Sequence, residues 1–247
     1  MGGIITYFSP DYATARARFR DMASRAGGRL ETMPIAAAGP GGEDLSIDTA
    51  YFGESAAKRA LIHSSGLHGV EGFAGSAIQL QLLDSLPALP HDTAIILTHA
   101  LNPFGMAWLR RVNEQNVDLN RNCLEEEPYT GAPAAYAQFD SFLNPQSRPG
   151  ADFYLLKAQL LILRYGMTAL KQAVAEGQYE FPRGLFFGGK SFQSGPAQWR
   201  KFLQRALPAV ERVVSIDVHT GVGKYGQDLL LVDAPHFERM RAMFGPR

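Results

Sequence analysis

The chain has a single cysteine, no net charge and no long uninterrupted apolar run. With Cys123 alone no internal disulfide can form, so the cysteine content gives secretion no support. Lysine plus arginine equals aspartate plus glutamate at 24 each, which gives no reason to expect nucleic acid or an anionic membrane as the partner. The longest apolar stretch, Leu155 to Leu163, is interrupted by Lys157 and Gln159 and does not predict a membrane span. The start of the chain also lacks the pattern of a secretory signal, and we expect a soluble cytoplasmic protein.

The chain does contain enough apolar sequence for a substantial core. Its 247 residues are 46% hydrophobic, and short β-rich runs alternate with segments of helical periodicity. We predict strands at Arg29–Ile35, Leu45–Tyr51, Ala60–His63, Thr93–Thr98, Val213–Val218 and Asp228–Val232. We predict helices from about Pro10 to Ala26, from Gly72, and at Asp152–Ala175, Ala197–Leu207 and Pro235–Phe244, with residues 123–150 as a long irregular insertion. This alternation predicts an α/β fold with a mixed, mostly parallel, twisted sheet and helices on both faces, as one domain over residues 1–247.

Two separate segments carry the side chains that zinc prefers. His68 and Glu71 follow a predicted strand and are flanked by glycines that permit a sharp turn. His219 ends another predicted strand, where Asp217 shares its face because side chains alternate along a strand. Catalytic zinc takes imidazole and carboxylate ligands, usually three of them plus water. A solvated turn is the plainer interpretation of the first segment alone.

A third segment, 116–122, gathers five polar side chains around two apolar ones. A carboxylate such as Asp118 could accept the second N–H of a ligating histidine and fix its tautomer. The planar fork of Arg121 suits a carboxylate. Taken by itself, the segment is more simply interpreted as a polar surface turn.

In this order the segments resemble the zinc carboxypeptidase family. The family pattern is His-x-x-Glu, Asn-Pro-x-Gly, an arginine, Asp-x-Asn-Arg and a later histidine at a strand end. Its counterparts here are His68 to Glu71, Asn102 to Gly105, Arg111, Asp118 to Arg121, and His219. Within the family the chain looks most like an uncharacterised bacterial branch, on the segments Gly66 to Ser76, Arg110 to Asn122 and Phe186 to Gly189.

The resemblance implies a zinc-carboxypeptidase-like fold and a role for each matching residue. The implied zinc ligands are His68, Glu71 and His219, with Asp118 as the hydrogen-bonding partner of His68. Arg111 would polarise the scissile carbonyl, and Asn120 and Arg121 would hold the substrate's terminal carboxylate. The family's general base is a glutamate well downstream of the last histidine. Only Glu238 follows here, in a helical pattern and too early, so we expect the chain to lack its C-terminal part and the base to lie beyond residue 247.

The expected activity is zinc-dependent hydrolysis of an amide bond, carboxypeptidase-like, in a peptide or amino-acid conjugate with a free carboxylate. One alternative is an aspartoacylase-like deacylase of N-acyl amino acids, a related type of enzyme that shares these ligands. Another is an inactive protein that binds metal or carboxylate, because the base is not seen. We expect no nucleic-acid or membrane partner, and the leucine-rich segment at 155–163 is a candidate contact for a homo-oligomer.

Overall fold

Five strands form one mixed sheet in this computed structural model, which describes residues 4–124, 128–146, 150 and 153–245. The strands are β1 (Arg29–Ala38), β2 (Asp44–Gly53), β3 (Arg59–Ser65), β4 (Thr93–His99) and β5 (Arg212–Val218). Their order across the sheet is β1-β2-β4-β3-β5. The pairs β1–β2 and β2–β4 are antiparallel, whereas β3 runs parallel to both β4 and β5. The mixed sheet is confirmed, with the pairings evenly divided between the two kinds.

Helices pack on both faces of this sheet, as predicted. The α-helices are α1 (Tyr12–Arg25), α2 (Gly72–Asp84), α3 (Pro103–Ala107), α4 (Ala134–Leu143), α5 (Tyr154–Tyr165), α6 (Met167–Ala175), α7 (Ser194–Ala206) and α8 (Phe237–Phe244). Short 3-10 turns lie at Ile4–Tyr7, Gly69–Glu71, Leu119–Arg121 and Ala234–His236. Among the described residues no helix is both long enough and apolar enough to cross a bilayer.

The alternation of side chains along β4 explains the two layers. Ile95 and Leu97 face one way and pack with Phe19 of α1 and Leu80 of α2. Ile96 faces the other way and packs with Phe202 of α7. Both faces of this central strand are therefore apolar, which is why its sequence is a continuous hydrophobic run rather than an alternating one.

Four expectations about local structure were wrong. The helix predicted from Pro10 begins at Tyr12, because the side chain of Asp11 accepts the hydrogen bond from Thr14 N that caps it. The segment 123–150 is not irregular throughout, since α4 lies within it. The long helix predicted to Ala175 is broken at Gly166, whose φ of 81° is outside the helical range; its first residue, Asp152, lies outside the described residues. Residues 228–232 form no strand.

A buried carboxylate fastens α1 to the sheet. Asp48 of β2 accepts hydrogen bonds from Arg16 Nε at 2.7 Å and from Arg20 Nη1 at 2.6 Å. Burial would raise the pKa of Asp48, but hydrogen bonds from Arg16, Thr32 and Ser46 lower it below its usual value. The charge is thus stabilised inside the protein by two hydroxyl donors and by Arg16 and Arg20, which remain charged at any ordinary pH.

His99 lies beside Asp48 in the β2–β4 register and is fully buried. Its ring stacks on Phe19 with 5.0 Å between centroids, and its Nε2 lies 3.1 Å from Ser76 Oγ. Burial lowers the pKa of His99 from its usual 6.5 to about 4. The ring is therefore neutral in the folded protein at neutral and mildly acidic pH.

We predict that His99 makes the fold sensitive to mild acid. Below pH 6.5 the unfolded chain protonates His99 while the folded chain does not, so stability present at neutral pH is lost as the pH falls towards 4. Between pH 7 and pH 5 this group should cost about 2 kcal/mol of unfolding free energy. Urea unfolding at the two pH values measures it. Between the two pH values, the unfolding free energy of His99→Asn should fall by about 2 kcal/mol less than that of the wild type. The variant His91→Asn, at an exposed position, should show the same fall as the wild type. Equal losses in all three would contradict the prediction.

Candidate active site

The carboxyl ends of β3 and β5 bring His68, Glu71 and His219 together. Register pairs run from Arg59–Arg212 to Ser65–Val218, so both strands end at the same edge of the sheet. His68 follows the end of β3 after two residues, Glu71 precedes the start of α2, and His219 directly follows β5. Crevices beyond the carboxyl ends of parallel strands are where α/β proteins place their ligands.

The three side chains point their donor atoms at a common position. His68 Nδ1 lies 3.4 Å from Glu71 Oε1 and 3.2 Å from His219 Nδ1. His219 Nδ1 lies 3.7 Å from Glu71 Oε2. Two tetrahedral ligands at zinc distances are separated by about 3.3 Å, so this spacing fits a three-ligand metal site. The three groups could hold a metal ion, with all donor atoms within 4.8 Å of one another.

Each of the two histidines has a carboxylate at its other ring nitrogen. His68 Nε2 lies 3.3 Å from Asp118 Oδ1, and His219 Nε2 lies 2.6 Å from Asp217 Oδ2. The hydrogen bond to Asp217 raises the pKa of His219 against the opposing effect of burial. Asp217 is itself held by Ser64 Oγ of β3 at 2.6 Å. Carboxylates in this position orient metal-binding histidines and make them more basic.

Arg111 completes the charged cluster on the His68 side. Its Nε donates to Asp118 Oδ2 at 2.9 Å, and its Nη2 lies 2.7 Å from His68 Nε2. Burial would raise the pKa of Asp118, but the hydrogen bond from His68 and the charge of Arg111 lower it to about 2. Arg111 can only donate, so a ring that accepts from it carries its proton on Nδ1. A ring that offers Nδ1 to a metal instead donates from Nε2 to Asp118, and the contact with Arg111 then gives way.

A glycine lets the two chain segments approach each other. Val70 N donates to Arg110 O at 3.0 Å, which places the turn after β3 directly against the segment that bears Arg111. A Cβ on Gly69 would lie 2.2 Å from the carbonyl carbon of Gly105 and 2.5 Å from Arg110 O. Both atoms are backbone, so no side-chain movement could relieve the clash.

The polar segment 116–122 is not simply a solvated turn, because Asn122 and the nearby Asn113 anchor the loop at residues 182–193. Asn122 Nδ2 donates to Gly188 O at 2.8 Å and to Ser191 O at 2.9 Å, and Asn122 Oδ1 accepts from Gln193 N at 2.8 Å. Asn113 Nδ2 donates to Gln193 Oε1 at 2.7 Å. Asn113 and Asn122 are buried. These side chains fix the path of residues 182–193 beside the candidate site.

Asn120 and Arg121 have surroundings different from those of the other predicted site residues. Asn120 is exposed. Arg121 Nη2 donates to Ala175 O, the last residue of α6, at 2.7 Å, and Tyr179 OH donates to Arg121 O at 2.8 Å. The structure therefore brings together His68, Glu71, His219, Asp118 and Arg111 by direct contacts, while Arg121 contacts the loop after α6. Glu238 lies on α8 with 82% of its side chain exposed, 4.0 Å from Arg241.

The sequence indicates the role of several other side chains at the site only weakly. The alternation of side chains along β5 predicts that Asp217 lies near the metal ligands, and the structure gives it a direct contact with the ring of His219. Asn113, Asn116 and Asn122 anchor the loop, and the sequence does not indicate this role because their partners lie about 65 to 80 residues away in the chain. The dense polar composition of the segment was the available signal, since buried amides imply specific hydrogen bonds.

A family profile covers nearly the whole chain. Residues 8–247 match the family described as "Protein of unknown function (DUF2817)". The chain belongs to this family. None of the curated proteins compared with it gives a significant match.

Solved structures align with this DUF2817 member at low similarity. Bovine thrombin-activatable fibrinolysis inhibitor, in complex with a tick carboxypeptidase inhibitor, shows 14% identity and a TM-score of 0.45 over 84% of this chain and 60% of that one. Carboxypeptidase A from Helicoverpa armigera shows 15% identity and a TM-score of 0.37 over 94% of this chain and 69% of that one. Glutaminyl cyclase from Macrostomum lignano shows 14% identity and a TM-score of 0.33 over 89% and 75% of the two chains. The chain thus spans 60% of the length of the bovine structure.

The neighbouring asparagines 120 and 122 provide a matched test of the loop anchor. Asn122→Ala removes three hydrogen bonds and leaves buried backbone groups unpaired, so we expect it to lower the unfolding free energy by about 2–3 kcal/mol. Asn120→Ala, at an exposed position, should change it by less than about 0.5 kcal/mol. Urea unfolding of both variants measures the difference. Equal stability of the two would refute the anchoring role.

Proposed function

We propose that this protein is a zinc-dependent hydrolase of amide bonds, with His68, Glu71 and His219 as the zinc ligands. The observation that supports it best is the paired arrangement of the two histidines. Each directs Nδ1 towards the common position and Nε2 towards a carboxylate, at 3.3 Å for His68 and 2.6 Å for His219. Two imidazoles, a carboxylate and this outer support are typical of catalytic zinc sites. Bound zinc would supply a Lewis acid for a carbonyl and a water acidic enough to ionise near neutral pH.

The protein's own residues would organise the charge around that centre. With a metal at Nδ1, Asp118 and Asp217 would accept the N–H at Nε2 of each ring and so hold the rings in that tautomer. Arg111, once its Nη2 is released from His68, presents an N–H donor beside the metal position, where an oxyanion forms during acyl transfer. The Nε bond to Asp118 keeps the guanidinium plane fixed during this exchange.

We propose a peptide or amino-acid conjugate with a free carboxylate as the substrate, and a cytoplasmic location for the enzyme. Arg121 and Asn120 are the proposed carboxylate-binding pair. Two features support them: Asn120 is exposed and Arg121 is only half-buried, so a ligand has access to both. Binding would require Arg121 Nη2 to exchange Ala175 O for the substrate. A charged acceptor makes that exchange favourable, since hydrogen bonds between two charged groups are stronger than those to a neutral carbonyl.

Metal content tests the ligand assignment directly. We expect about one zinc per chain in the purified protein by inductively coupled plasma mass spectrometry. The double variant His68→Ala, His219→Ala should lose it. The matched double variant His91→Ala, His236→Ala removes two exposed histidines and should retain it. A wild type that stays free of metal after zinc is supplied, or a first variant that keeps its metal, would refute the site.

Two adjacent arginines provide the corresponding test of activity. The zinc-loaded protein should hydrolyse members of a panel of short peptides or N-acyl amino acids, and the class hydrolysed separates carboxypeptidase from deacylase activity. Arg111→Ala should lower kcat by about 10²–10³-fold, the effect of removing one oxyanion donor. Arg110→Ala, at an exposed position, should leave kcat unchanged. Equal effects of the two substitutions would rule out the proposed role of Arg111. Failure to hydrolyse any substrate of the panel would contradict the proposed hydrolase activity.

A further inference from the structure

The guanidinium of Arg111 is held on one face by an aromatic ring. Its Cζ lies 4.8 Å from the centre of the Phe186 ring. Its edge is occupied by Asp118 Oδ2 and His68 Nε2, at 2.9 Å and 2.7 Å. Ring and carboxylate together therefore fix both the plane of the guanidinium and its rotation within that plane.

The backbone at Phe186 has an unfavourable conformation that serves this contact. Its φ is 54°, in the left-handed region that residues other than glycine seldom adopt. The flanking residues are tied down: Leu185 O accepts from Tyr136 OH at 2.8 Å, and Phe187 O accepts from Asp118 N at 2.7 Å. The left-handed turn separates the two phenylalanines. Phe187 enters the core beside Val117 and Leu119, while Phe186 turns to Arg111.

The contact with Phe186 restricts the side-chain rotamers of Arg111 and removes water from one face of its guanidinium. With 35% of its side chain exposed, an unsupported arginine at this position would sample several rotamers and keep water on both faces. A ring on one face removes that water and leaves the in-plane N–H groups available to an acceptor. Electrostatic attraction between those donors and a developing negative charge is stronger where water is excluded.

We propose that Phe186 is a positioning residue, which keeps Arg111 oriented towards the His68, Glu71 and His219 group; this inference rests on the proposed function. The loop at residues 182–193 therefore contributes to the site through Phe186. Its anchors, Asn113 and Asn122, belong to the same short segment as Arg111 and Asp118. One segment thus holds the arginine, its carboxylate and the loop that covers it.

The same loop contains a matched control. Arg200 of α7 has its Cζ 4.6 Å from the centre of the Phe192 ring, a contact of the same kind. Arg200 is exposed and has no place in the proposed chemistry. Phe192→Leu and Phe186→Leu therefore remove equivalent rings from one loop with different expected consequences.

The first test is independent of activity. Phenylglyoxal labelling of the folded protein, quantified at each arginine by mass spectrometry, reports how accessible each guanidinium is. We expect Phe186→Leu to raise the labelling rate of Arg111 by about threefold, the order of effect expected for losing a partly exposed cation–π contact. Phe186→Tyr should keep the wild-type rate, and Phe192→Leu should raise the rate at Arg200 but not at Arg111. An unchanged rate at Arg111 in Phe186→Leu would overturn the proposal. Phe186→Met replaces Leu if that variant fails to fold.

The second test uses the hydrolysis assay. Phe186→Leu should lower kcat by about tenfold with little change in KM, since a misplaced catalytic group affects the reaction step rather than ground-state binding. Phe186→Tyr should restore kcat, and Phe186→Leu should add no loss in an Arg111→Ala background. A full further loss in that background would contradict positioning through Arg111. If the wild type hydrolyses nothing, the proposed function fails, whereas the labelling result still decides whether Phe186 holds Arg111.

Discussion

The parallel pairing of β3 with β5 is the constraint on which the site depends. It joins residues about 150 positions apart in the chain and sets their register so that Ser65 lies opposite Val218. A shift of one residue would turn the side chain of Asp217 to the other face of the sheet. The hydrogen bond from Ser64 Oγ to Asp217 Oδ1 links the two strands in this register. The pairing of β3 with β5 therefore determines both the edge of the sheet and the geometry of the site.

Charge balance at the site favours a divalent cation. Glu71, Asp118 and Asp217 contribute three negative charges and Arg111 one positive charge, which leaves a formal charge of minus two with neutral histidines. The side chains of the cluster also have partners outside the group of three. His68 Nε2 lies against Arg111, and Glu71 Oε2 accepts from Thr220 N at 2.7 Å. Such contacts orient the side chains of the three donors, as hydrogen-bonding partners of metal-binding residues do.

The sequence predicted the central elements well and the connections poorly, for a physical reason. Thr93–Thr98 and Val213–Val218 are short runs rich in β-branched residues, a composition that favours strands over helices. The break at Gly166 and the left-handed turn at Phe186 depend on single backbone angles that no periodicity encodes. The segment 116–122 allowed two interpretations because an asparagine has the same sequence signal in a solvated turn as in a buried network. Its hydrogen-bond partners lie in a loop whose position only the fold determines.

A metal bound by these three ligands would connect the buried end of β3 to β5, the least buried strand of the sheet. His68 is 5% exposed and follows a strand whose last residues are buried. The side chain of His219 is 32% exposed and follows β5, which has no fully buried residue. The few apolar contacts of β5 supply little free energy to hold its end in place. Ligation by His219 would add binding free energy at that point, since a metal that binds only the converged geometry stabilises it. Metal binding and ordering of the end of β5 would then be thermodynamically linked, so that each favours the other.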